Sequence, residues 1–343
     1  MAQSNNAKTL KIGAVLSLTG DAAVHGEAMR KGISLASEDL KSQGWTVEVN
    51  FQDDGTKPVK TISSLQYLLS QNYRLFVGPT WSFLTKAATP LLEKYEAVAL
   101  LPAGSSDING GPSKSLLNLC PNRIRQLAIT SEWLKSRSFK KALVLTPLGD
   151  WGIVHRAVFQ KAALEAGIEV VADEQIEYGI EPVALSAILL KAKSKGVDLL
   201  LTTSSGGDIF NMLKLRSKLQ WQVGMLTTEN LWDNIDQELI SADDPMLKDA
   251  WVLGLPLNLK FSQRFQERFH ESPKMNADRG YDALMLLAKA AQATDGSPSQ
   301  IRLFLTRGEP YSGVTGEIKF NDLGDRMSEE FKIMQGLSNK ERT

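Results

Sequence analysis

The chain has 343 residues, 43% of them hydrophobic and 23% charged, with 39 basic and 39 acidic side chains that cancel. That balance gives no electrostatic footing for nucleic acid or an anionic membrane, and no apolar run approaches the roughly 20 residues that span a bilayer. Cys120 is the only cysteine and reads as a buried structural thiol, while His25, His155 and His270 are scattered, which excludes an internal disulfide and leaves no metal-ligand spacing.

The amino-terminal MAQSNNAKTLKIG is polar and lacks the apolar core of a signal peptide. Either the protein stays in the cytosol or its leader has been removed. Short apolar runs then alternate with amphipathic stretches, the pattern of parallel sheets built from βα units. Residues 11–17 predict a strand, 26–44 a helix and 46–51 a strand. Pro58 opens a helix that runs to Gln71. Strands at 75–77 and 97–101 flank a helix starting near Ser82, and a short strand follows at 116–119. A second series predicts strands at 142–146, 168–175, 199–203 and 223–227, with helices at 152–166, 183–195 and 208–218 between them. The remainder predicts helices at 261–270, 277–292 and 298–307 and two strands, 317–320 and 331–335. A chain of this length favours two lobes of similar size.

Leu75 to Asp107, LFVGPTWSFLTKAATPLLEKYEAVALLPAGSSD, is the most informative stretch. Two loops of small residues, Gly78 to Ser82 and Ala103 to Ser106, follow the carboxyl ends of apolar strands. In open α/β sheets ligands bind at those ends, small residues admit them, and a helix starting at Ser82 offers free N–H groups to an anion. Ser205 and Gly206 follow the strand at 199–203 in the same manner.

Eight segments in order, among them LSLTGDAAVHGEAMRKGISLA, FQDDGTKP, FVGPTWSFLTKAATPLLEK, LLPAGSSD, TTENLW and GVTGEIKFNDLGD, resemble type I periplasmic solute-binding proteins of the leucine/isoleucine/valine-binding group. The resemblance covers residues 10–335 and implies an α/β fold of two doubly wound parallel-sheet lobes joined by a multi-crossing hinge. The expected lobes are 8–124 with 254–327, and 127–252 with 328–337, crossing near 125, 253 and 327. It further implies an extracytoplasmic binding protein of an ABC importer that closes on an amino acid or related small carboxylate and meets a membrane permease. The second reading is a ligand sensor of the same fold, which is cytoplasmic if the native gene encodes no leader and which takes an amide or aromatic acid.

From the resemblance, Ser82 binds the ligand carboxylate through its hydroxyl and N–H, although an ordinary N-cap accounts for it too. Ser105 touches both charged groups of an amino acid, and Ala103 offers a carbonyl to the ammonium. Trp151 stands where a tyrosine usually closes over the ligand, by stacking or by its N–H, and Glu229 where an acid pairs with the ammonium. His25 replaces a common aromatic, Trp81 is equally a packing residue, and Asp278 lies near a position that sets side-chain selectivity. Trp232 and Tyr281 are weaker candidates. Asp53 and Asp54 of QDDGT read as a strand-to-helix turn and not as a metal site. No dinucleotide or phosphate-loop fingerprint and no nucleophile elbow is found, so neither a cofactor nor catalysis is expected.

Overall fold

Strand β1 (Lys8–Leu16) sends Leu10, Ile12, Ala14 and Leu16 to one side of its sheet and Val15 to the other, so both faces are covered. After it come α1 (Ala23–Ser42), β2 (Trp45–Asp53), α2 (Pro58–Ser70), β3 (Leu75–Val77), α3 (Ser82–Lys94), β4 (Val98–Leu101) and β5 (Leu116–Pro121). The second series is α4 (Arg123–Lys135), β6 (Lys141–Pro147), α5 (Asp150–Glu165), β7 (Glu169–Ile176), α6 (Pro182–Ser194), β8 (Leu199–Thr202), α7 (Gly206–Lys218), β9 (Gly224–Thr228), α8 (Trp232–Asp236) and β10 (Ala250–Gly254). The chain ends with α9 (Leu259–Phe269), α10 (Ala277–Ala293), α11 (Pro298–Arg307), β11 (Tyr311–Gly313), β12 (Gly316–Ile318), β13 (Asp325–Arg326) and β14 (Lys332–Gln335). The computed structural model describes residues 8–102, 104, 106–109, 111–121, 123–236, 239–241, 243–327 and 331–335.

Two units emerge, Met1–Asn122 with Asn258–Ser328 and Arg123–Leu257 with Glu329–Thr343. The sheet of the first has the order β13-β5-β4-β3-β1-β2, and that of the second β14-β10-β9-β8-β6-β7. Strand for strand the orders match, with β1 and β6 in equivalent places. The edges differ, because β13 runs parallel to β5 whereas β14 runs antiparallel to β10. In the first unit α1, α9 and α10 cover one face, and α2 and α3 the other. In the second, α6 and α7 cover one face, and α4 and α5 the other. Each fully buried side chain such as Phe261 or Phe265 contributes about 1.5–3 kcal/mol by leaving water.

Three departures from the expected elements have physical causes. Helices expected to start at Gly26 and Gly152 start earlier, at Ala23 and Asp150. In both places glycine lets the first helical turn lie against a strand end. A Cβ at 26 would fall 2.0 Å from the Ser17 carbonyl oxygen, and one at 152 only 1.6 Å from that of Pro147. Helix α4 was not expected, because its buried face is Gln126, Thr130 and Ser131 with Leu134 the one apolar residue among them. The strand expected at 317–320 is shorter, with Gly316–Ile318 paired to Tyr311–Gly313 and Phe320 in an isolated bridge to Arg326.

Candidate functional site

In the first unit the strand order reverses at β1, which lies between β3 and β2, so a crevice is expected outside the carboxyl ends of β1 and β3. The loops there are tied to one another. The Ser17 N–H donates to Thr80 Oγ1 at 3.0 Å, and Ser17 Oγ donates to Asp54 Oδ1 at 2.7 Å. Asp53 Oδ1 accepts from the N–H groups of Leu18, Thr19 and Gly55. Both carboxylates thus organise the turn.

Trp81, in extended backbone, holds the N-cap position of α3, and Ser82 is the first helical residue. The Ser82 hydroxyl is therefore not used as a cap. No acid occupies the first turn of α3, so its end offers N–H groups to an external anion. His25, buried at the start of α1, lies with its ring centroid 6.1 Å from that of Trp81. Gly104, at φ +83°, lies against Ser82 from the loop after β4: a Cβ there would fall 2.7 Å from Ser82 Oγ. His25, Trp81, Ser82 and Gly104 therefore converge. Ala103 and Ser105 lie outside the described residues.

Asp278 lies in the first turn of α10, where it accepts the Arg279 N–H at 2.8 Å. Sequence reasoning missed its neighbour Arg279, a buried guanidinium whose charge reaches His25. Tyr281 belongs elsewhere: its hydroxyl donates to Asp39 at 2.6 Å and its ring packs on Phe261, within the core.

In the second unit the equivalent reversal is at β6, between β8 and β7. Trp151, at the start of α5, donates its indole N–H to Thr203 Oγ1 at 3.1 Å, and Thr203 is hydrogen-bonded to Thr228 at 2.8 Å. The indole N–H is thereby engaged, which leaves the ring face. His155 backs that ring at 4.1 Å between centroids and donates from Nδ1 to the Trp151 carbonyl at 3.0 Å. Glu229, buried just after β9, accepts the Leu255 N–H on Oε1 at 2.8 Å.

Ser205 is engaged within its own helix. It caps α7, accepting from the Asp208 N–H at 3.2 Å and donating to Asp208 Oδ2 at 2.8 Å. Asp208 also takes Ser204 Oγ and the Gly179 N–H, so the end of α7 is neutralised from within the chain. Gly206 makes room for Asn230 and Asp233, which a Cβ would approach to 3.2 and 3.1 Å. Trp232 is part of the core beneath α7. The first turn of α3 thus holds no acid, whereas that of α7 carries Asp208. Thr203 and Thr228 are small polar residues at strand ends and carry the same sequence signal as Thr80.

The buried groups of the first unit set a pH test. Burial, then the Arg279 charge, pushes the His25 imidazole down to about 4 from 6.5. The folded ring stays neutral where the unfolded one binds a proton, so this stability is complete above pH 6.5 and is lost as pH falls toward 4. The full effect is about 3 kcal/mol. Burial raises Asp282 to about 6 from 3.8, which has the opposite sign: its stabilisation is present below 3.8 and lost as pH rises through 6. The two terms nearly cancel over the shared window. His25→Phe removes only the first, so the stability difference between variant and wild type should move in the variant's favour by about 2 kcal/mol between pH 7 and 4.5. Urea midpoints at both pH values measure this, and an unchanged difference would refute it.

Among the described residues no group of three His, Cys, Asp or Glu side chains could hold a metal, and no helix is long and apolar enough to cross a membrane. Leu/Ile/Val-binding protein homolog 3 of Brucella melitensis is 22% identical over 95% of this chain and 91% of its own length. The branched-chain amino acid transporter substrate-binding protein LivJ of Streptococcus pneumoniae, solved with isoleucine, superposes with a TM-score of 0.78 at 21% identity over 93% of this chain and 94% of its own. A solute-binding protein of an ABC transporter from R. palustris, solved with benzoate, gives a TM-score of 0.78 at 19% identity over 93% of this chain and 91% of its own. The family model described as periplasmic binding protein matches residues 9–341, and the chain belongs to that family.

Proposed function

We propose that this chain is the solute-binding component of an ABC importer, acting outside the cytoplasmic membrane and delivering an amino acid or related small carboxylate to a membrane permease. The supporting observation is the open amino-terminal end of α3, with Ser82 uncapped, no acid in the first turn and Gly104 packed against it. A carboxylate placed there gains charge-assisted hydrogen bonds from N–H and O–H donors. In the second unit Trp151 keeps its ring face at the start of α5, and Glu229 stands just after β9. Binding completes the task, and no chemical step follows. The isoleucine and benzoate complexes of the related proteins bracket the ligand class.

An aromatic acid is the second reading. It is favoured by the half-buried faces of Trp81 beside His25 and of Trp151 beside His155.

Calorimetric titration with the twenty amino acids and a set of aromatic carboxylates tests the proposal, which fails if none binds more tightly than about millimolar. If the bound ligand carries an ammonium, Glu229→Gln should weaken it by about 2–5 kcal/mol. Unchanged affinity would remove Glu229 from the site.

A further inference from the structure

Three neighbouring strands of the second unit carry a row of threonines at their carboxyl ends. Leu145 of β6 is in register with Thr202 of β8, and Leu201 of β8 with Leu226 of β9. The same registers, continued toward the carboxyl ends, set Thr146, Thr203 and Thr228 side by side. All three point to the sheet face that α4 and α5 cover, the face of Val144, Leu201 and Leu226. Thr203 and Thr228 are buried and share a hydrogen bond of 2.8 Å, and Thr203 Oγ1 also accepts the Trp151 indole N–H at 3.1 Å. The Thr146 hydroxyl is equally buried but has no hydrogen-bond partner among the described residues.

The torsion that turns a tryptophan ring is broad, so its neighbours must set the plane of the ring. Two of them do so for Trp151. His155 backs one side of the ring, 4.1 Å away between centroids and tilted by 40°, and Thr203 anchors the N–H edge. Thr203 is stiff about its own χ1, and the bond to Thr228 holds its hydroxyl in place. Both threonines lie away from water, so water does not compete for the indole N–H. The half-buried Trp151 is therefore left with an open ring face and with no N–H to give to a ligand.

We propose that Thr203 and Thr228 are positioning residues that hold Trp151 with its ring face toward the ligand, so that the site takes a small carboxylate with an apolar or aromatic body and rejects one that carries a hydrogen-bond acceptor there. The inference rests on the small-carboxylate ligand proposed above and adds which part of it Trp151 meets. An apolar group laid on the ring gives up no hydrogen bond, and a ring fixed beforehand leaves little ordering to oppose binding. A carbonyl or hydroxyl in the same place gives up water and finds no donor, because Thr203 already holds the one N–H of the indole. Apolar pockets reject an isostere with one added polar group by up to about a hundred-fold, which sets the scale of the effect.

The test is calorimetry on the full chain with near-isosteric pairs: leucine and asparagine, valine and threonine, benzoate and pyridine-4-carboxylate. In wild type the apolar member of at least one pair should bind about ten-fold or more tightly than its partner. Thr203→Val keeps the side-chain shape but frees the indole N–H, so discrimination within that pair should fall by about five-fold or more, whereas a loss of structure would weaken both members alike. Thr203→Ser restores the acceptor and should keep discrimination within about two-fold of wild type. Thr146→Val, which removes a hydroxyl that holds nothing, should do the same. In a Trp151→Phe background, which has no N–H to anchor, Thr203→Val should change discrimination by less than about two-fold. If Thr203→Val does not fold, Thr203→Ala is measured with the same expectations. No preference for the apolar members, unchanged discrimination in Thr203→Val, or an equal change in Thr146→Val would overturn the role of the threonines while leaving the carboxylate site standing. Failure of all six compounds to bind wild type would instead overturn the small-carboxylate reading, and this inference with it.

Discussion

Arg326→Ala is expected to destabilise the first unit by about 4–5 kcal/mol, near the upper end for a single substitution. Arg326 is fully buried and heads the large side chains with no exposure among the described residues. Nη1 donates to Thr315 Oγ1 at 2.9 Å, and Nη2 to the carbonyls of Thr315 at 2.6 Å and Glu317 at 3.0 Å. Thr315 in turn donates its hydroxyl and its N–H to Asp282, which also takes the Val314 N–H. One guanidinium therefore holds the β11–β12 turn to α10 through Thr315. Truncation leaves carbonyls unpaired in a dry interior and opens a cavity of arginine size, two costs that add. Arg326→Met keeps most of the volume and should recover part of the loss, which separates the two terms. Urea unfolding measures both variants, and a loss below about 1 kcal/mol for alanine would show that the network carries little stability.

Gly152→Ala should cost about 3 kcal/mol or more, although alanine is the better helix former by up to about 1 kcal/mol. The added methyl would stand 1.6 Å from the Pro147 carbonyl oxygen, a backbone atom at the end of β6 that cannot rotate away. The start of α5 must lift instead, and Trp151 goes with it, breaking the bond from its indole N–H to Thr203. A change in tryptophan emission should therefore accompany the lower urea midpoint. Gly207 provides the control, since the nearest atom to a Cβ there is Ser205 Oγ at 4.0 Å. Gly207→Ala should be neutral or slightly stabilising. Equal effects at the two positions would contradict the steric account.

Where local chemistry and tertiary role agree, the fold was legible. The apolar strands and Pro58 predicted their elements because burial on both sheet faces and a proline in the first helical turn leave direct marks. Gly26 and Gly152 misled because glycine is locally a helix breaker, whereas here it admits a close contact with a strand that sequence spacing does not reveal. Helix α4 stayed hidden because Gln126, Thr130 and Ser131 occupy its buried face.

The site was legible in the same measure. Trp81, Ser82 and His25 come together because each follows a strand end or opens the next helix. Ser205 satisfies the same description, yet Asp208 three residues on takes its hydroxyl, and a Ser-x-x-Asp spacing signals that competition.

A crystal structure of the protein with a bound ligand, either retained through purification or identified by titration, tests the central claim most directly. The account predicts a ligand carboxylate within hydrogen-bond distance of Ser82 Oγ and of the first N–H groups of α3. A ligand whose carboxylate lies at the start of α7 or makes no contact with α3, or a ligand with no carboxylate, would contradict it.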